Sequence, residues 1–286
     1  MTGERGLARR QWTGWASLAT VAALFVGSTG LLADWCYDNS IIRRQAAEIT
    51  ANLATDSARI VAINHWVYHN HGFGKNSSYF LVPALGPTPL QVLQLGGDCA
   101  DKSRLVAAML NELGIDASLV MIAPCLQCDA IHTVVEARYE SGLMVVDPIW
   151  DIDYPTGDGR YFGVRDLAWT SRGEERVAAL QRQRGETDKI TKMPTSEARF
   201  QYAVTMNWDK NIYTRAVAQS MRILGYQPEL MFRPRLLEDP KLALSWFLIL
   251  ALIAGVVASI LFRAIFGTPL LKRSREARHS HDMAAS

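Results

Sequence analysis

Three side chains, a cysteine, a histidine and an aspartate, have the types and the chain order that nucleophilic cysteine chemistry requires. Cys99 follows a Gly-Gly-Asp turn and opens an apolar helical pattern, so it falls on the first turn of a predicted helix. There the unpaired backbone amides and the helix dipole favour the thiolate, the reactive form of cysteine. His132 is the only histidine between Cys99 and the last apolar segment, and Asp147 follows it. Singly, these residues fit a buried structural cysteine, a lone strand histidine and a strand-end cap. Together they predict a nucleophile, a proton carrier and an orienting carboxylate.

The helix predicted to carry Cys99 runs to Gly114, which supplies a left-handed stop. Asp98 is placed as its N-cap and Asp101 as the capping-box partner. Apolar residues at helical spacing mark one buried stripe: Leu105, Val106, Met109, Leu110 and Leu113. This stripe would hold the cysteine against the protein core.

An antiparallel meander is predicted to carry the other two residues. A buried-type strand spans 115–123, a second strand runs from His132 to Tyr139, and a third spans 143–147 after a tight turn. The hairpin places His132 and Asp147 at the same end, within a couple of residues of pairing. A helix followed by such a meander predicts an α+β fold.

The residues Gly97–Lys102, the helix end 113–117, His132 and the segment 145–148 resemble the core of the transglutaminase-like superfamily. The resemblance covers roughly residues 55–155. It implies a papain-like α+β core, in which the helix that carries the cysteine packs on an antiparallel sheet.

The same resemblance implies the roles of the site residues. Cys99 would be the nucleophile, His132 the general base and then acid, and Asp147 the orienting carboxylate. The family usually has a tryptophan two residues after the histidine, where this chain has Val134. We expect Trp150 to fill that place beside His132.

An oxyanion formed in such chemistry needs hydrogen-bond donors. The backbone amide of Cys99 is the natural first donor. Gln94 is a candidate second donor, as a glutamine is in papain-like enzymes, and a plain loop glutamine is the alternative.

Cys125 and Cys128 form a Cys-x-x-Cys motif shortly before His132. A disulfide between them is the leading interpretation, followed by free thiols and then by metal or redox chemistry, because no thioredoxin-like βαβ pattern surrounds the motif. Cys99 is then expected to be unpaired and shielded in a cleft.

His65 and His69 share a helix face at a spacing that can chelate a metal, with His71 nearby. No Glu follows His65 in the zincin manner and the sequence names no third ligand, so a surface or core role is favoured. The acidic turn at 151–159 lacks the EF-hand spacing and is interpreted as a solvated loop rather than a calcium site. No metal or cofactor is therefore predicted.

Two uncharged apolar runs, at 15–33 and 242–262, are each long enough to cross a bilayer. Arginine-rich flanks lie at 1–14 and 263–286, which by the positive-inside rule places both termini in the cytoplasm. A cleaved signal peptide is the alternative for the first run, although residues 31–33 lack a small residue at the minus-three position.

The prediction is thus a bacterial cytoplasmic-membrane protein that displays residues 34–241 on the outer, periplasmic side. This domain would consist of the core at about 55–155 and a helical extension at 165–241. The extension would contain helices at 174–187 and 196–224, and residues 207–209 are a candidate break in the second helix. The formal net charge of +2 conceals two basic flanks and an acidic part between them, and no basic stripe with interleaved aromatics occurs. Nucleic-acid binding by the part between the flanks is excluded by charge.

The expected function is an amide-cleaving cysteine hydrolase or acyl transferase that forms a thioester on a peptide or protein substrate of the envelope, with hydrolysis preferred over crosslinking. A non-catalytic scaffold of the same fold, in envelope or surface-polysaccharide assembly, is the alternative. A redox module that uses Cys125 and Cys128 is a third class.

Overall fold

The computed structural model describes residues 3–123, 128, 130–156, 158–169, 203–206, 208, 212–228, 231 and 233–266. Within them the helices are α1 (Gly3–Thr50), α2 (Asp56–His69), α3 (Pro89–Leu95), α4 (Cys99–Glu112), α5 (Val164–Trp169), α6 (Ile212–Ile223) and α7 (Pro240–Phe266). Short 3-10 helices lie at Pro83–Leu85 and Arg235–Leu237. The strands are β1 (Ala117–Ile122), β2 (His132–Tyr139), β3 (Gly142–Asp147) and β4 (Ile152–Asp153). The predicted α+β fold is confirmed.

The four strands form one antiparallel sheet in the order β1-β2-β3-β4. Val135 of β2 pairs with Leu119 on one side and Val146 on the other, which fixes the register of the three longer strands. These strands match the three predicted from the alternation of apolar residues to within two residues at each end. The short strand β4 was not predicted, because two residues carry no periodicity.

Both faces of the sheet are covered, as the period of two in side-chain direction requires for a buried strand. Val135 and Val146 face a core shared with α4, α2 and the end of α1, whereas Val134 and Val145 face a second cluster on the opposite side. Helix α4 contributes the predicted stripe to the first core, with Leu105, Val106, Met109 and Leu110 buried. The apolar pattern of α4 and the sheet therefore positions both halves of the site.

Helix α1 continues without interruption from the first apolar run to Thr50, and its last turns bring Ile42 and Ala46 into the core. The helix ends at Thr50, and residues 51–55 are not helical before α2 begins. Thr55 caps α2 by accepting from the amide of Ala58, and Glu140, from the turn between β2 and β3, accepts from the amide of Asp56. The segment from the first apolar run to His69 therefore forms two helices.

The chain divides into two units, Trp35–Lys241 and Met1–Asp34 with Leu242–Ser286. Two helices are long and apolar enough to cross a membrane, at Ala19–Thr50 and Pro240–Leu261, with mean hydropathies of 1.4 and 2.6. In the most apolar 18-residue window of each helix, 6% of the residues are buried. These helices are compatible with membrane anchoring. The proposed domain boundaries and topology stay predictions.

The prediction of a helix at 196–224 is wrong for residues 203–206, the first part of this range that the structure describes. Residues 203–206 are not helical, and Val204 forms an antiparallel bridge with Met121 of β1, with N–O distances of 2.8 and 2.9 Å in the two directions. The open edge of β1 offers unpaired backbone groups, which here compete successfully with helix formation. Helix α6 begins only at Ile212. The helix predicted at 174–187 lies outside the described residues.

Candidate active site

Cys99 is the first residue of α4, as the sequence predicted. Asp98 caps the helix, accepting at Oδ1 from the amides of Ala100 and Asp101 at 3.0 and 3.1 Å. The Asp101 carboxylate in turn accepts from the Asp98 amide, which completes the capping box. Burial, together with the adjacent Asp98 carboxylate, raises the pKa of Asp101, which Arg104 partly offsets. The Cys99 thiol is free and half-buried.

Gly97 permits the close turn that leads into this helix. A Cβ at this position would lie 2.3 Å from the Cβ of Asp101, a distance that real side chains do not tolerate. Any larger residue would push the turn away from α4 and would displace the capping box that precedes Cys99.

His132 and Asp147 meet at the end of the β2–β3 hairpin. Since Val135 pairs with Val146, the register brings Asp147 opposite a position two residues from His132. His132 Nε2 lies 2.6 Å from Asp147 Oδ2, and both side chains are almost completely buried. The other carboxylate oxygen, Oδ1, accepts from the amide of Ile149 at 2.9 Å. Both oxygens of Asp147 are therefore engaged.

The Cys99 side chain also acts on the imidazole of His132 and helps to raise its pKa, and both residues line the same cavity. Because Nε2 contacts Asp147, Nδ1 is the ring nitrogen left for the thiol. The structure thus brings Cys99, His132 and Asp147 together at one place.

The charges around His132 favour its protonated form. Burial alone lowers the pKa of the imidazole, but the Asp147 carboxylate and the nearby Cys99 side chain outweigh it and raise the pKa from 6.5 to about 10. The carboxylate of Asp147 therefore favours a buried imidazolium. At neutral pH this group is prepared to donate a proton.

Lys102 fixes the end of α2 against α4, a role that no pattern in the sequence indicates. Its Nζ donates to the carbonyls of Val67, Tyr68 and His71, each at 3.0 Å. A lysine beside the last carbonyls of a helix also suits the negative end of the helix dipole. Burial lowers the pKa of Lys102. Its three donors hold in place the wall of the site that α2 supplies.

Ser103 fixes the other side of α4, against the strand of His132. Its hydroxyl donates to the carbonyl of Thr133 at 2.9 Å, and the serine is completely buried. Thr133 is the neighbour of His132 in β2. This one hydrogen bond therefore couples the helix of the thiol to the strand of the imidazole.

A cavity of about 880 Å³ opens over the thiol and the imidazole. Cys99 and His132 contribute to its lining, together with the aromatic side chains of Tyr68, Phe73 and Trp150. Phe73 is 67% exposed and gives the cavity an apolar wall. Trp150, which we expected beside His132, lines the same cavity. The cavity is large enough for a peptide segment with an apolar side chain.

Gln94 does not lie in this cavity lining. It is exposed in the last turn of α3, while the amide of Cys99 stays at the start of α4. Cys128 is disulfide-bonded, whereas Cys36 and Cys99 are free thiols. Cys125, the partner predicted for Cys128, lies outside the described residues.

The acidic turn after β3 does not present a set of carboxylates ready for a cation. The Arg160 guanidinium donates a hydrogen bond to Oδ2 of Asp158 at 2.7 Å. This contact, together with the Thr156 hydroxyl, lowers the pKa of Asp158. Asp151 instead contacts α2, where its Oδ2 lies 2.8 Å from Nδ1 of His65. No sequence signal indicated this pairing, because α2 and the turn are far apart in the chain.

Comparison with known proteins identifies the domain that contains these residues. Residues 43–148 match the model of the Transglutaminase-like superfamily. No curated protein matches the chain. Similar solved structures include a "putative cysteine protease" from Cytophaga hutchinsonii, 19% identical over 39% of this chain and 37% of that chain, with a TM-score of 0.33. Another is a "putative protease" from Parabacteroides distasonis, 17% identical over 46% and 30% of the two chains, with a TM-score of 0.29.

Proposed function

We propose that this chain, which carries a transglutaminase-like domain at residues 43–148, is a membrane-anchored cysteine hydrolase of amide bonds. The observation that carries the proposal is the arrangement around His132. Its Nε2 lies 2.6 Å from Asp147, and its ring shares the lining of a large cavity with the free thiol of Cys99, which also raises the pKa of the ring.

In the first step, the Cys99 sulfur attacks the carbonyl carbon of a bound amide. The developing oxyanion is met by the backbone amide at the start of α4, where the helix dipole is also positive. The C–N bond then breaks as the His132 imidazolium gives its proton to the departing amine. The product is a thioester on Cys99 and a neutral His132.

In the second step, neutral His132 takes a proton from water, and the resulting hydroxide attacks the thioester. The carboxylic acid leaves and the thiolate–imidazolium pair is restored. Asp147 keeps the same ring orientation in both steps, since Nε2 is bonded to it throughout. An amine in place of water would give acyl transfer, and we propose hydrolysis because water needs no second binding site.

We also propose that residues 34–241 lie on the outer side of a bacterial cytoplasmic membrane and act on a peptide or protein of the envelope. The two apolar helices and their basic flanks support this arrangement. The disulfide at Cys128 supports an oxidising compartment, because cytoplasmic proteins rarely keep such bonds.

A peptide library presented to the full chain in detergent tests the hydrolysis directly. We expect mass spectrometry to find cleaved amide bonds with wild type and none with Cys99→Ala. Acid quenching of wild type during turnover should trap acylated Cys99, whereas His132→Ala should form none, because the first step then lacks the acid that protonates the departing amine. Cys36→Ser is the matched control, since it removes the other free thiol and should leave cleavage unchanged.

Two outcomes would overturn the proposal. The domain is a scaffold in envelope assembly if no condition gives cleavage or a trapped acyl group, and if Cys99→Ala restores the wild-type phenotype to cells that lack the protein. If Cys125→Ser abolishes that function while Cys99→Ala does not, the protein is a redox module.

A further inference from the structure

Two histidines of α2 and one aspartate from the turn after β3 form a cluster apart from the Cys99 thiol. His65 and His69 lie one turn apart on α2, with ring centroids 4.6 Å apart. Asp151 reaches them from the turn, and its Oδ2 lies 2.8 Å from His65 Nδ1. One ligand atom from each of the three side chains falls within 4.8 Å of the others. The sequence supplied only the histidine pair, and folding adds the third ligand.

The types of these side chains match those that bind zinc. Imidazole nitrogens and a carboxylate oxygen are the ligands of His₂–carboxylate zinc sites, in which the fourth position is left to water. Zinc–ligand bonds of about 2.0–2.1 Å in a tetrahedron place ligand atoms roughly 3.3 Å apart. The widest separation here must therefore close by about 1.5 Å. The His65 side chain is 60% exposed, so its rotation meets little resistance.

The backbone and the core hold the third ligand in place. Asp151 has a φ of 51°, a left-handed conformation that aspartate tolerates better than most residues. Its side chain is only 11% exposed, so the carboxylate lies against α2 rather than in solvent. A zinc ion bound by these three side chains would be held between α2 and the turn after β3.

We propose that His65, His69 and Asp151 bind a divalent transition metal, with Zn²⁺ the best match, and that the metal joins α2 to the turn after β3. His69 and Trp150, the neighbour of Asp151, both contribute to the lining of the cavity above Cys99. The metal would fix two walls of the substrate cavity relative to each other. It takes no part in the thioester chemistry.

Zinc binding is tested on the full chain in detergent, in a Cys36→Ser, Cys99→Ala background that removes both free thiols. Competition with a chromophoric chelator should show one tightly bound Zn²⁺. His69→Ala and Asp151→Asn should each weaken binding at least about 10-fold, since each removes one of three ligands. Asn keeps the tolerance of aspartate for the left-handed backbone.

Two controls separate the cluster from other donors. His71→Asn removes the neighbouring histidine, and Asp158→Asn removes a carboxylate of the same turn, so both should bind Zn²⁺ like the background. Added Zn²⁺ should raise the melting temperature of the background but not that of Asp151→Asn. The proposal is overturned if the background binds no Zn²⁺, or if His69→Ala and Asp151→Asn bind it equally well. Since Cys99 is absent throughout, neither result bears on the hydrolase proposal.

Discussion

Replacing Asp147 by asparagine should move the titration of His132 by about 3.5 pH units. The carboxylate, with the Cys99 contact, holds the pKa of His132 near 10 against a burial effect that lowers it. The asparagine side chain carries no charge, so in Asp147→Asn the imidazole should titrate at or below its ordinary value of 6.5. At pH 8 the imidazolium fraction then falls from about 99% to about 3%, roughly a 30-fold loss of the general acid.

The sign of this effect follows from the protonated form being the one that acts on the leaving amine. A raised pKa keeps His132 charged up to about pH 10, so amide cleavage should lose its acid only above that pH. In Asp147→Asn the alkaline limb should fall to about neutral pH. Losses should therefore be small near pH 6 and should grow about tenfold for each pH unit above the new pKa.

The titration of His132 can be measured without a known substrate, in a Cys36→Ser background of the full chain. A direct readout is NMR titration of the His132 ring in the same background, because the ring resonances shift when the imidazole loses its proton. We expect this step near pH 10 in the background and about 3.5 units lower in Asp147→Asn. A His132→Ala sample assigns the resonance.

The matched control is Asp151→Asn, the same change at the second His–Asp pair of the domain, assayed without added metal. It should leave the step in place. Asp147→Asn also loses one of two buried acceptors, since Oδ2 serves His132 and Oδ1 serves Ile149, at about 1–3 kcal/mol. Its melting temperature must therefore be shown to lie above the assay temperature. A step that stays near pH 10 in folded Asp147→Asn would refute the role given to this carboxylate.

Three further changes test how the site is held. Lys102→Met should lower the free energy of unfolding by at least about 2 kcal/mol, because it leaves three carbonyls without their donor, and thermal unfolding of the full chain measures this; an unchanged melting temperature would contradict it. Ser103→Ala should cost about 1–3 kcal/mol by leaving the buried Thr133 carbonyl unpaired and should also change the alkylation rate of Cys99, whereas Ser40→Ala, which removes a similar hydrogen bond from an exposed site, should change neither. Met109→Ala should cost about 2–5 kcal/mol through the cavity it leaves, while Met109→Leu should cost less than about 1.5 kcal/mol; equal losses would show that this part of the core repacks freely.

The parts of the fold that local patterns encode were predictable. The capping box at Asp98 and Asp101 marks where α4 begins, and the apolar stripe marks the face that it buries. The period of two in β2 and β3 fixes which residues share a face, and the tight turn fixes the register. Local patterns therefore place His132 near Asp147 and put Cys99 at the start of a helix, whereas the meeting of that helix with the hairpin was expected from the family resemblance.

Contacts between distant segments were not predictable, because they depend on how complete elements pack. The sequence around Lys102 does not show that its ammonium meets the end of α2, and that around Asp151 does not show its pairing with His65. The same limit explains the error at 203–206. Helical spacing there is a local preference, whereas the open edge of β1 is a property of the assembled sheet.

One turn of α4 carries both the nucleophile and its anchors. Cys99, Lys102 and Ser103 stand at positions i, i+3 and i+4, so they share one face of the helix. Lys102 holds that face to the end of α2, and Ser103 holds it to β2 beside His132. A slip of α4 by one residue would turn this face by about 100° and shift it by about 1.5 Å. It would break both anchors and carry the thiol away from the imidazole, so the two hydrogen-bond sets define the position of Cys99 more narrowly than apolar packing alone could.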